Sequence, residues 1–456
     1  MARDVSDSTP LRSRDELVAW FAAGMKPESA FRLGTEHEKF PFYVDGLSPV
    51  PYAGPRGIEA LLRGVQARTG WDPIMDGEAI IGLFDSKGGG AISLEPGGQF
   101  ELSGAPVETL HDTAAELAEH LAVTKRVGDG LGIGFLALGH SPAWTRAQTP
   151  VMPKQRYKIM ANYMPKVGSR GLDMMFRTCT VQVNLDFGSE ADMVRKLRVS
   201  LSLQAVASAL FANSPFVDGR PTGYLSNRCE IWRDTDADRS GLMPFAFEPG
   251  MGFERYVDYA LDVPMYFVKR GDHYHDVAGA SFRDLLAGKL PQLPGETATL
   301  SDWANHLSTI FPDVRLKRYI EMRGADAGSE PMLNALPALW VGLLYDGKAL
   351  DEAEALVKDW TAAERQALRD TVPRRALATP FRQGNVRDVA REVLAIARGG
   401  LSRRARRDAQ GRDETLFLEP LDAIVAEGHT TAERLVADFT GSWHGSVDPV
   451  FKSCAY

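Results

Sequence analysis

Cysteine is scarce in this sequence, with three residues among 456: Cys179, Cys229 and Cys454. An odd, sparse count excludes a disulfide framework and is typical of proteins from a reducing compartment. There is no C-x-x-C spacing and no paired histidine near any of the three, which excludes a structural zinc site. We therefore expect a cytoplasmic protein with free thiols.

Long apolar runs are also missing. No stretch approaches the roughly 18 uncharged apolar residues of a membrane span, and the N-terminal residues contain no continuous apolar segment typical of a secretory signal. The net charge of −8 argues against nucleic acid or an anionic membrane as the main partner. We expect small-molecule partners, no nucleic acid and no membrane, and the sequence does not indicate an oligomeric state.

Several common nucleotide and metal motifs are absent. The sequence contains no G-x-x-x-x-G-K-[ST] phosphate-binding loop. The G-x-G within Gly128–Gly134 follows a predicted helix and enters a strand, which is the reverse of a dinucleotide fingerprint. Asp234–Gly241 alternates aspartates as a calcium loop does, but Arg239 stands where that loop requires glycine. His273 and His275 share a strand face with no third ligand nearby, which favours two solvated histidines.

The pattern along the chain indicates the fold class. With 44% hydrophobic and 25% charged residues, the chain can bury a large core. Strand-like alternation occurs up to about residue 325, and helical periodicity dominates residues 331–456. Hairpin-like glycines separate the strands, so we predict an α+β fold with a mainly antiparallel sheet and a helical C-terminal region. We expect residues 1–12 to be a flexible tail and 13–456 to form a single domain.

Particular elements can be predicted more closely. Phe31–Val44 and Arg177–Phe187 alternate as strands do, and the Pro-Gly-Gly turn after Glu95 predicts a hairpin. The pattern over Arg315–Arg323 predicts one further alternating strand. The basic run Gly399–Glu414 contains no aromatic residues, so we interpret it as a solvated loop between helices.

Carboxylates recur on these predicted strands. Glu36 and Glu38 are two residues apart and project from one face. Glu95 and Glu101 flank the Pro-Gly-Gly turn, where a hairpin would bring them close together. A solvated sheet face explains any single pair of this kind. Their recurrence favours a cleft lined by carboxylates.

Two later strands add further polar groups. Arg177–Phe187 separates into an apolar face and a polar face that contains Gln182, while Glu321 and Arg323 share a face on the last predicted strand. Oxygen ligands without thiolates suit Mg²⁺ or Mn²⁺. Metals that bridge nucleotide phosphates beside an arginine are the parts that phosphoryl transfer requires. A phosphoryl-transfer cleft is therefore one hypothesis, beside a merely solvated polar face.

At these residues the chain resembles the plant-type glutamate–cysteine ligases, a family found in plants and many proteobacteria. The matching segments are RLGTEHEKF, FELSGAP, MPKQRYKIMANYMPKVG, RTCTVQVNLDF, GYLSNR…IWRDTDADRSG, VPMYFV and RLKRYIEMRGAD, ending in ALPALWVGLLYD. The resemblance implies a glutamine-synthetase-like fold, in which a mainly antiparallel sheet forms a funnel with helices outside. It also implies ATP-dependent ligation of the glutamate γ-carboxylate to cysteine through γ-glutamyl phosphate, the first step of glutathione biosynthesis.

The resemblance further implies roles for individual residues, with ATP as co-substrate and Mg²⁺, or Mn²⁺, as the metal. The expected metal ligands are Glu36, Glu38, Glu95, Glu101, Gln182 and Glu321. The expected substrate contacts are Arg156, Arg228 and Tyr266. The expected nucleotide contacts are Arg233, Arg239 and Arg323. Among these residues, Arg323 and Glu38 are expected to act in catalysis.

Two departures from the family pattern leave alternatives open. Plant members are made with a transit peptide, whereas this chain begins almost directly at its first predicted helix, so we expect a proteobacterial member. No pair among the three cysteines matches the redox-control pairs of plant members. The cysteine pocket is the least determined part of the site, so a related ligase with another amine acceptor is the main alternative. A metal-dependent phosphohydrolase and a non-catalytic binding module are the others.

Overall fold

The computed structural model describes residues 7–456 and is built on one nine-stranded, antiparallel sheet. Its strands are β1 Leu33–Tyr43, β2 Asp72–Asp76, β3 Ala79–Phe84, β4 Ala91–Leu94, β5 Phe100–Ser103, β6 Ile133–Leu136, β7 Thr180–Leu185, β8 Val314–Leu316 and β9 Ile320–Asp326. The strand order is β8-β9-β7-β1-β5-β4-β3-β2, and β6 pairs with the end of β1. The predicted mainly antiparallel α+β class is therefore confirmed.

Helices surround the sheet and make up most of the C-terminal region. They are α1 Arg14–Ala22, α2 Ile58–Thr69, α3 Leu110–Leu131, α4 Gln155–Tyr163, α5 Gly171–Arg177, α6 Glu190–Leu210, α7 Asn227–Ile231, α8 Phe253–Asp262, α9 Phe282–Leu286, α10 Leu300–Ser308, α11 Glu330–Leu344, α12 Gly347–Val357, α13 Ala362–Arg375, α14 Val386–Arg404, α15 Glu419–Glu427, α16 Thr431–Thr440 and α17 Val450–Ser453. No helix in residues 7–456 is both long and apolar enough to cross a membrane.

Four small two-stranded ribbons lie outside the main sheet. They pair Phe216–Val217 with Arg220–Pro221, Ser240–Gly241 with Phe311–Pro312, Phe267–Arg270 with His273–Asp276, and Pro380–Phe381 with Gly384–Asn385. The pairing of Ser240–Gly241 with Phe311–Pro312 is parallel, and the other three are antiparallel.

The two faces of β7 decide where the core and the cavity lie. Val181, Val183 and Leu185 are fully buried and belong to the same hydrophobic core as the apolar residues of α6. Because side chains alternate along a strand, the intervening polar residues project from the opposite face. β7 is thus apolar on the face that belongs to this core, and its polar side chains lie on the opposite face.

Two predicted elements differ from the structure. Arg315–Arg323 was predicted as one strand, but the chain turns at Lys317–Tyr319, so that Arg315 in β8 lies opposite Glu321 in β9. The turn contains no Gly, Pro, Asn or Asp, so the usual turn signals are absent. β9 then continues to Asp326 past an irregularity between Met322 and Ala325.

The basic run Gly399–Glu414 was predicted as a loop, but its first six residues continue α14 to Arg404. Gly400 explains the difference, because a Cβ atom there would lie 1.9 Å from the carbonyl oxygen of Gly342 in α11. The glycine permits close helix–helix packing, and that packing outweighs its low helix propensity.

The start of the chain makes specific contacts with the fold. The backbone N–H of Leu11 donates to the carbonyl oxygen of Ala298 at 2.8 Å, and the Leu11 side chain is buried. The predicted flexible tail spans residues 1–12, and residues 1–6 of it lie outside the described part of the chain.

Candidate active site

The polar face of the sheet lines a cavity. The strands β1, β5, β7 and β9 form one wall, and side chains from α4 and α7 close it from the other side. The lining contains most of the residues expected from the sequence: Glu36, Glu38, Glu95, Glu101, Arg156, Gln182, Arg228 and Arg323.

One half of the cavity is acidic. Glu38 in β1 lies directly opposite Glu101 in β5, and the backbone N–H of Thr180 donates to Glu38 Oε2 at 3.0 Å. Burial, together with the charges of Glu95 and Glu101, raises the pKa of Glu38 well above its ordinary value. Glu38 therefore holds its proton more tightly than an ordinary glutamate does.

Neighbouring polar side chains hold these carboxylates in place. Glu101 accepts hydrogen bonds from the hydroxyls of Ser93 at 2.5 Å and Ser103 at 3.0 Å. Glu36 Oε1 accepts from Asn184 Nδ2 at 3.0 Å. Each hydrogen bond restricts the rotamer of a cavity-lining carboxylate while leaving other oxygen lone pairs unused.

Glu95 lies at the β4–β5 turn, beside the expected substrate contact Arg156. Burial and the charge of Glu101 raise the pKa of Glu95, while the positive charges of Lys154 and Arg156 act in the opposite direction. Arg156 is therefore the cation that helix α4 brings to the acidic half of the cavity.

The other half of the cavity is basic. Arg315 pairs with Glu321 through two contacts, Nε to Oε2 at 2.5 Å and Nη2 to Oε1 at 3.0 Å. Lys317 Nζ lies 3.4 Å from Glu321 Oε1, and Arg323 Nη1 lies 3.1 Å from Glu321 Oε2. Burial alone would raise the pKa of Glu321, but the three cations hold it well below its ordinary value.

The oxygens of two expected metal ligands are thus already engaged. Both oxygens of Glu321 contact cations, and Gln182 Oε1 accepts from Arg323 Nη1 at 2.6 Å. The acidic half fits a hard divalent cation better, because its carboxylates lie close enough together to raise the pKa of Glu38 and of Glu95. In the part of the chain that the structure describes, no group of three or more Asp, Glu, His or Cys side chains is arranged so that it could hold a metal ion.

Arg315 was missed by the sequence reasoning. It is buried, lines the cavity and also donates to the carbonyl oxygens of Ser308 and Ile310, each at 2.9 Å. Only the β8–β9 hairpin places it beside Glu321, and a single continuous strand would separate the two by six residues. Because RLKRYIEMRGAD was predicted as one strand, the proximity of Arg315 to Glu321 could not be inferred.

Arg228 extends from α7 towards the same basic half. Its Nη2 donates to the backbone oxygen of Arg323 at 2.9 Å. Its Nε and Nη1 are buried and have no protein acceptor among the described residues. Since a buried guanidinium without partners is costly, these two N–H groups suit a carboxylate ligand.

Three expected contacts lie outside the cavity lining. Arg239 is fully buried, pairs with Asp236 at 2.6 Å and stacks 3.8 Å from the ring centre of Tyr266. Arg233 pairs with Glu230 at 2.7 Å and Asp370 at 3.1 Å. Arg239 and Tyr266 therefore pack against each other outside the cavity lining. Arg233 belongs to an ion-pair network.

A solved structure has a similar overall fold. The glutamate–cysteine ligase of Francisella tularensis, in complex with AMP, aligns over 98% of this chain and 89% of its own with a TM-score of 0.57 and 11% identity. That likeness concerns the fold alone. Fold and cavity together define an α+β protein with separate carboxylate and guanidinium groups on one face of an antiparallel sheet.

Comparison of sequences is more specific. The profile of glutamate-cysteine ligase family 2 (GCS2) matches residues 32–453. Glutamate–cysteine ligase B, chloroplastic, of Oryza sativa subsp. japonica is 56% identical over 97% of this chain and 87% of its own length. The chloroplastic enzyme of Arabidopsis thaliana is 56% identical over 97% of this chain and 83% of its own. The chain belongs to glutamate-cysteine ligase family 2.

Proposed function

We propose that the protein joins the γ-carboxylate of glutamate to the amine of cysteine at the expense of ATP, the first step of glutathione biosynthesis. The observation that carries this proposal is a single cavity that is lined by four carboxylates and four guanidinium groups: Glu36, Glu38, Glu95, Glu101, Arg156, Arg228, Arg315 and Arg323. Family membership supports the same activity. A proteobacterial origin and a cytoplasmic location stay predictions from the sequence.

The acidic half is the proposed metal site, with Glu36, Glu38, Glu95 and Glu101 as the residues that would hold Mg²⁺, or Mn²⁺. When bound, the metal would offset the charge of the nucleotide phosphates. We assign Glu321 and Gln182 a different role from the one expected, because their oxygens already accept from cationic groups. Both would hold the arginines of the basic half in position.

The basic half is the proposed site for the transferring phosphoryl group and the substrate. A carboxylate is inert to amines until one of its oxygens becomes part of a leaving group. The γ-carboxylate oxygen of glutamate attacks the γ-phosphorus of ATP and ADP leaves; Arg323 and Arg315 stabilise the charge on the transferring phosphoryl oxygens. The cysteine nitrogen then attacks the acyl carbon, and phosphate leaves with the former carboxylate oxygen.

Arginines would also bind the substrate carboxylates. Arg228 has two unpaired N–H groups, and a guanidinium fork matches a carboxylate in a bidentate arrangement. Arg156 would bind the second carboxylate of glutamate from the acidic half. Arg233 stays a proposed nucleotide contact, whereas for Arg239 and Tyr266 we propose a role in shaping the wall.

ADP release measured with different acceptors tests the proposal. With MgATP and glutamate, we expect strong stimulation by cysteine, with γ-glutamylcysteine formed in proportion to ADP. Greater stimulation by another amine, such as glycine or ammonium, would favour the related ligase. ADP release at the same rate with and without any amine would favour the phosphohydrolase.

A further inference from the structure

Asp326, the last residue of β9, lies outside every role discussed so far. Its side chain is 1% exposed, and it accepts three hydrogen bonds. Oδ2 accepts from the backbone N–H of Asn213 at 2.9 Å and the hydroxyl of Ser214 at 2.6 Å, and Oδ1 accepts from the hydroxyl of Ser226 at 2.9 Å. A buried carboxylate with three donors is a rigid anchor.

The two serine hydroxyls relay this anchor to α7. A carboxylate only accepts, so Ser214 and Ser226 must donate to it, and their oxygens stay available as acceptors. Ser214 Oγ accepts from the backbone N–H of Arg228 at 3.1 Å. Ser226 Oγ accepts from the backbone N–H of Cys229 at 3.2 Å and is the N-cap of the helix.

Helix α7 depends on these contacts for its orientation. It contains five residues, too few for a helix to be stable by itself. Its first turn carries Arg228, whose Nη2 donates to the backbone oxygen of Arg323, three residues before Asp326 on the same strand. One carboxylate therefore connects the strand that carries Arg323 with the helix that carries Arg228.

We propose that Asp326 is a positioning residue that aligns Arg228 with the substrate carboxylate through the hydroxyls of Ser214 and Ser226. The inference rests on the proposed role of Arg228 in glutamate binding. The negative charge of Asp326 also acts favourably on the Arg228 guanidinium. Asp326 itself contacts no cavity space, since it is absent from the cavity lining and buried behind it.

An amide in place of this carboxylate makes a specific disturbance. Asp326→Asn has nearly the same volume, which matters because the space around the side chain is tight: a Cβ atom added at Gly139 would lie 2.5 Å from Asp326 Cγ. Its NH₂ group must face either the donors Asn213 N–H and Ser214 O–H or the donor Ser226 O–H. A serine hydroxyl that faces the NH₂ group must accept from residue 326 and can no longer donate to it, so the relay to α7 loses the hydrogen-bond polarity that the carboxylate imposes.

Steady-state kinetics with glutamate and ATP varied separately test the proposal. We expect Asp326→Asn and Ser214→Ala to raise the glutamate KM, by about tenfold for Asp326→Asn, with the ATP KM changed less than about twofold. Ser208→Ala is the matched control, because its buried hydroxyl also donates to β9, to the Gly324 oxygen at 2.9 Å, and does not bond to Arg228. We expect its glutamate KM to stay within about twofold of wild type.

A double-mutant cycle separates positioning from general damage. If Asp326 acts through Arg228, adding Asp326→Asn to Arg228→Lys should raise the glutamate KM little beyond Arg228→Lys alone. The proposal would be overturned if the effects of the two substitutions on the glutamate KM multiply, or if Asp326→Asn raises the glutamate KM and the ATP KM equally. If Asp326→Asn does not fold, an unchanged glutamate KM in Ser214→Ala would overturn it. If the proposed function itself is wrong, the wild-type protein will show no ADP release that depends on glutamate and cysteine, and this is measured before any variant is made.

Discussion

Glu38 and Glu101 face each other directly across the β1–β5 ladder, and both side chains are buried. Side chains at such positions have Cβ atoms about 4.5–5.5 Å apart, and like charges there oppose folding. Side chains alternate between the two faces of a strand. The residues next to these glutamates on β1 and β5 are buried on the opposite face of the sheet, so the two glutamates share the cavity face. The fold thus accepts a local electrostatic cost at the place where a cation would relieve it.

The first prediction concerns pH and the stability of the metal-free protein. The folded-state pKa of Glu38 is above the unfolded value of 4.5, so the folded protein holds this proton more tightly. The stability contributed by the protonated form is fully present below the unfolded pKa of 4.5 and decreases as pH rises through the folded pKa. Urea unfolding from about pH 5 to about pH 8 should therefore show wild type losing stability relative to Glu38→Gln. Glu119→Gln, an exposed control on α3, should follow wild type, and equal pH slopes for Glu38→Gln and wild type would contradict this account.

The second prediction concerns the metal. If the acidic half holds Mg²⁺, millimolar MgCl₂ should raise the melting temperature of the metal-free wild type, because a ligand that binds only the folded state stabilises it. Glu38→Gln and Glu101→Gln should show a smaller increase. Differential scanning calorimetry without nucleotide measures this directly. An equal increase in wild type and both variants would place the cation elsewhere.

The third prediction is that neutralising Glu321 destabilises the protein. Glu321→Gln leaves Arg315, Lys317 and Arg323 near one another without their shared counter-charge. Removing one partner of a buried ion network costs about 3–5 kcal/mol, so we expect a loss of unfolding free energy of that order. Glu38→Gln also neutralises a buried glutamate on the same sheet, and this variant should lose none. Wild-type stability together with a lost Mg²⁺ response in Glu321→Gln would restore the metal-ligand role expected from the sequence.

The sequence predicted the acidic half of this site better than the basic half. Glu36, Glu38 and Glu101 lie on strands with clear two-residue alternation, and such a pattern survives folding unchanged. Arg315 depends on a turn without turn-forming residues, so its proximity to Glu321 is a consequence of tertiary pairing. Strand β2 was not predicted either. Pro73 is unfavourable in most strands and is tolerated here because β2 lies at the edge of the sheet, a position that follows from tertiary pairing.

Side-chain partners were the least predictable feature. Arg239 and Tyr266 belong to segments that match the family, yet their contacts with each other and Asp236 could not be inferred from spacing. The same holds for Asp326, whose three donors come from residues 213–226, about 100 positions earlier in the chain. Such contacts follow from how loops meet in three dimensions, and no local periodicity encodes them.

The fourth prediction assigns Arg323 to the first half-reaction. Arg323→Ala should reduce ADP formation whether or not cysteine is present, by about 3–4 kcal/mol in activation free energy, as for other preorganised charge stabilisers. Arg318→Ala is the matched control, since this arginine lies on the same hairpin but stacks on Trp20 outside the cavity. Single-turnover measurements would separate the two steps. A defect seen only with cysteine would assign Arg323 to the acceptor step.

The last prediction concerns the order of events. If an acyl phosphate forms, one oxygen of the glutamate γ-carboxylate becomes the bridging oxygen to phosphorus and leaves with phosphate when the cysteine nitrogen attacks. Glutamate labelled with oxygen-18 in its γ-carboxylate should therefore transfer label to the released phosphate during dipeptide synthesis, as measured by mass spectrometry or ³¹P NMR. Without cysteine, slow ADP release should continue, because water can attack the activated acyl carbon and carry label into phosphate in the same way. Arg323→Ala should reduce the formation of labelled phosphate to the same extent with and without cysteine. Changes confined to the cysteine pocket should suppress the dipeptide and leave the slow water reaction intact. Unlabelled phosphate during dipeptide synthesis would refute the acyl-phosphate route, because no other step of this ligation moves a carboxylate oxygen onto phosphorus.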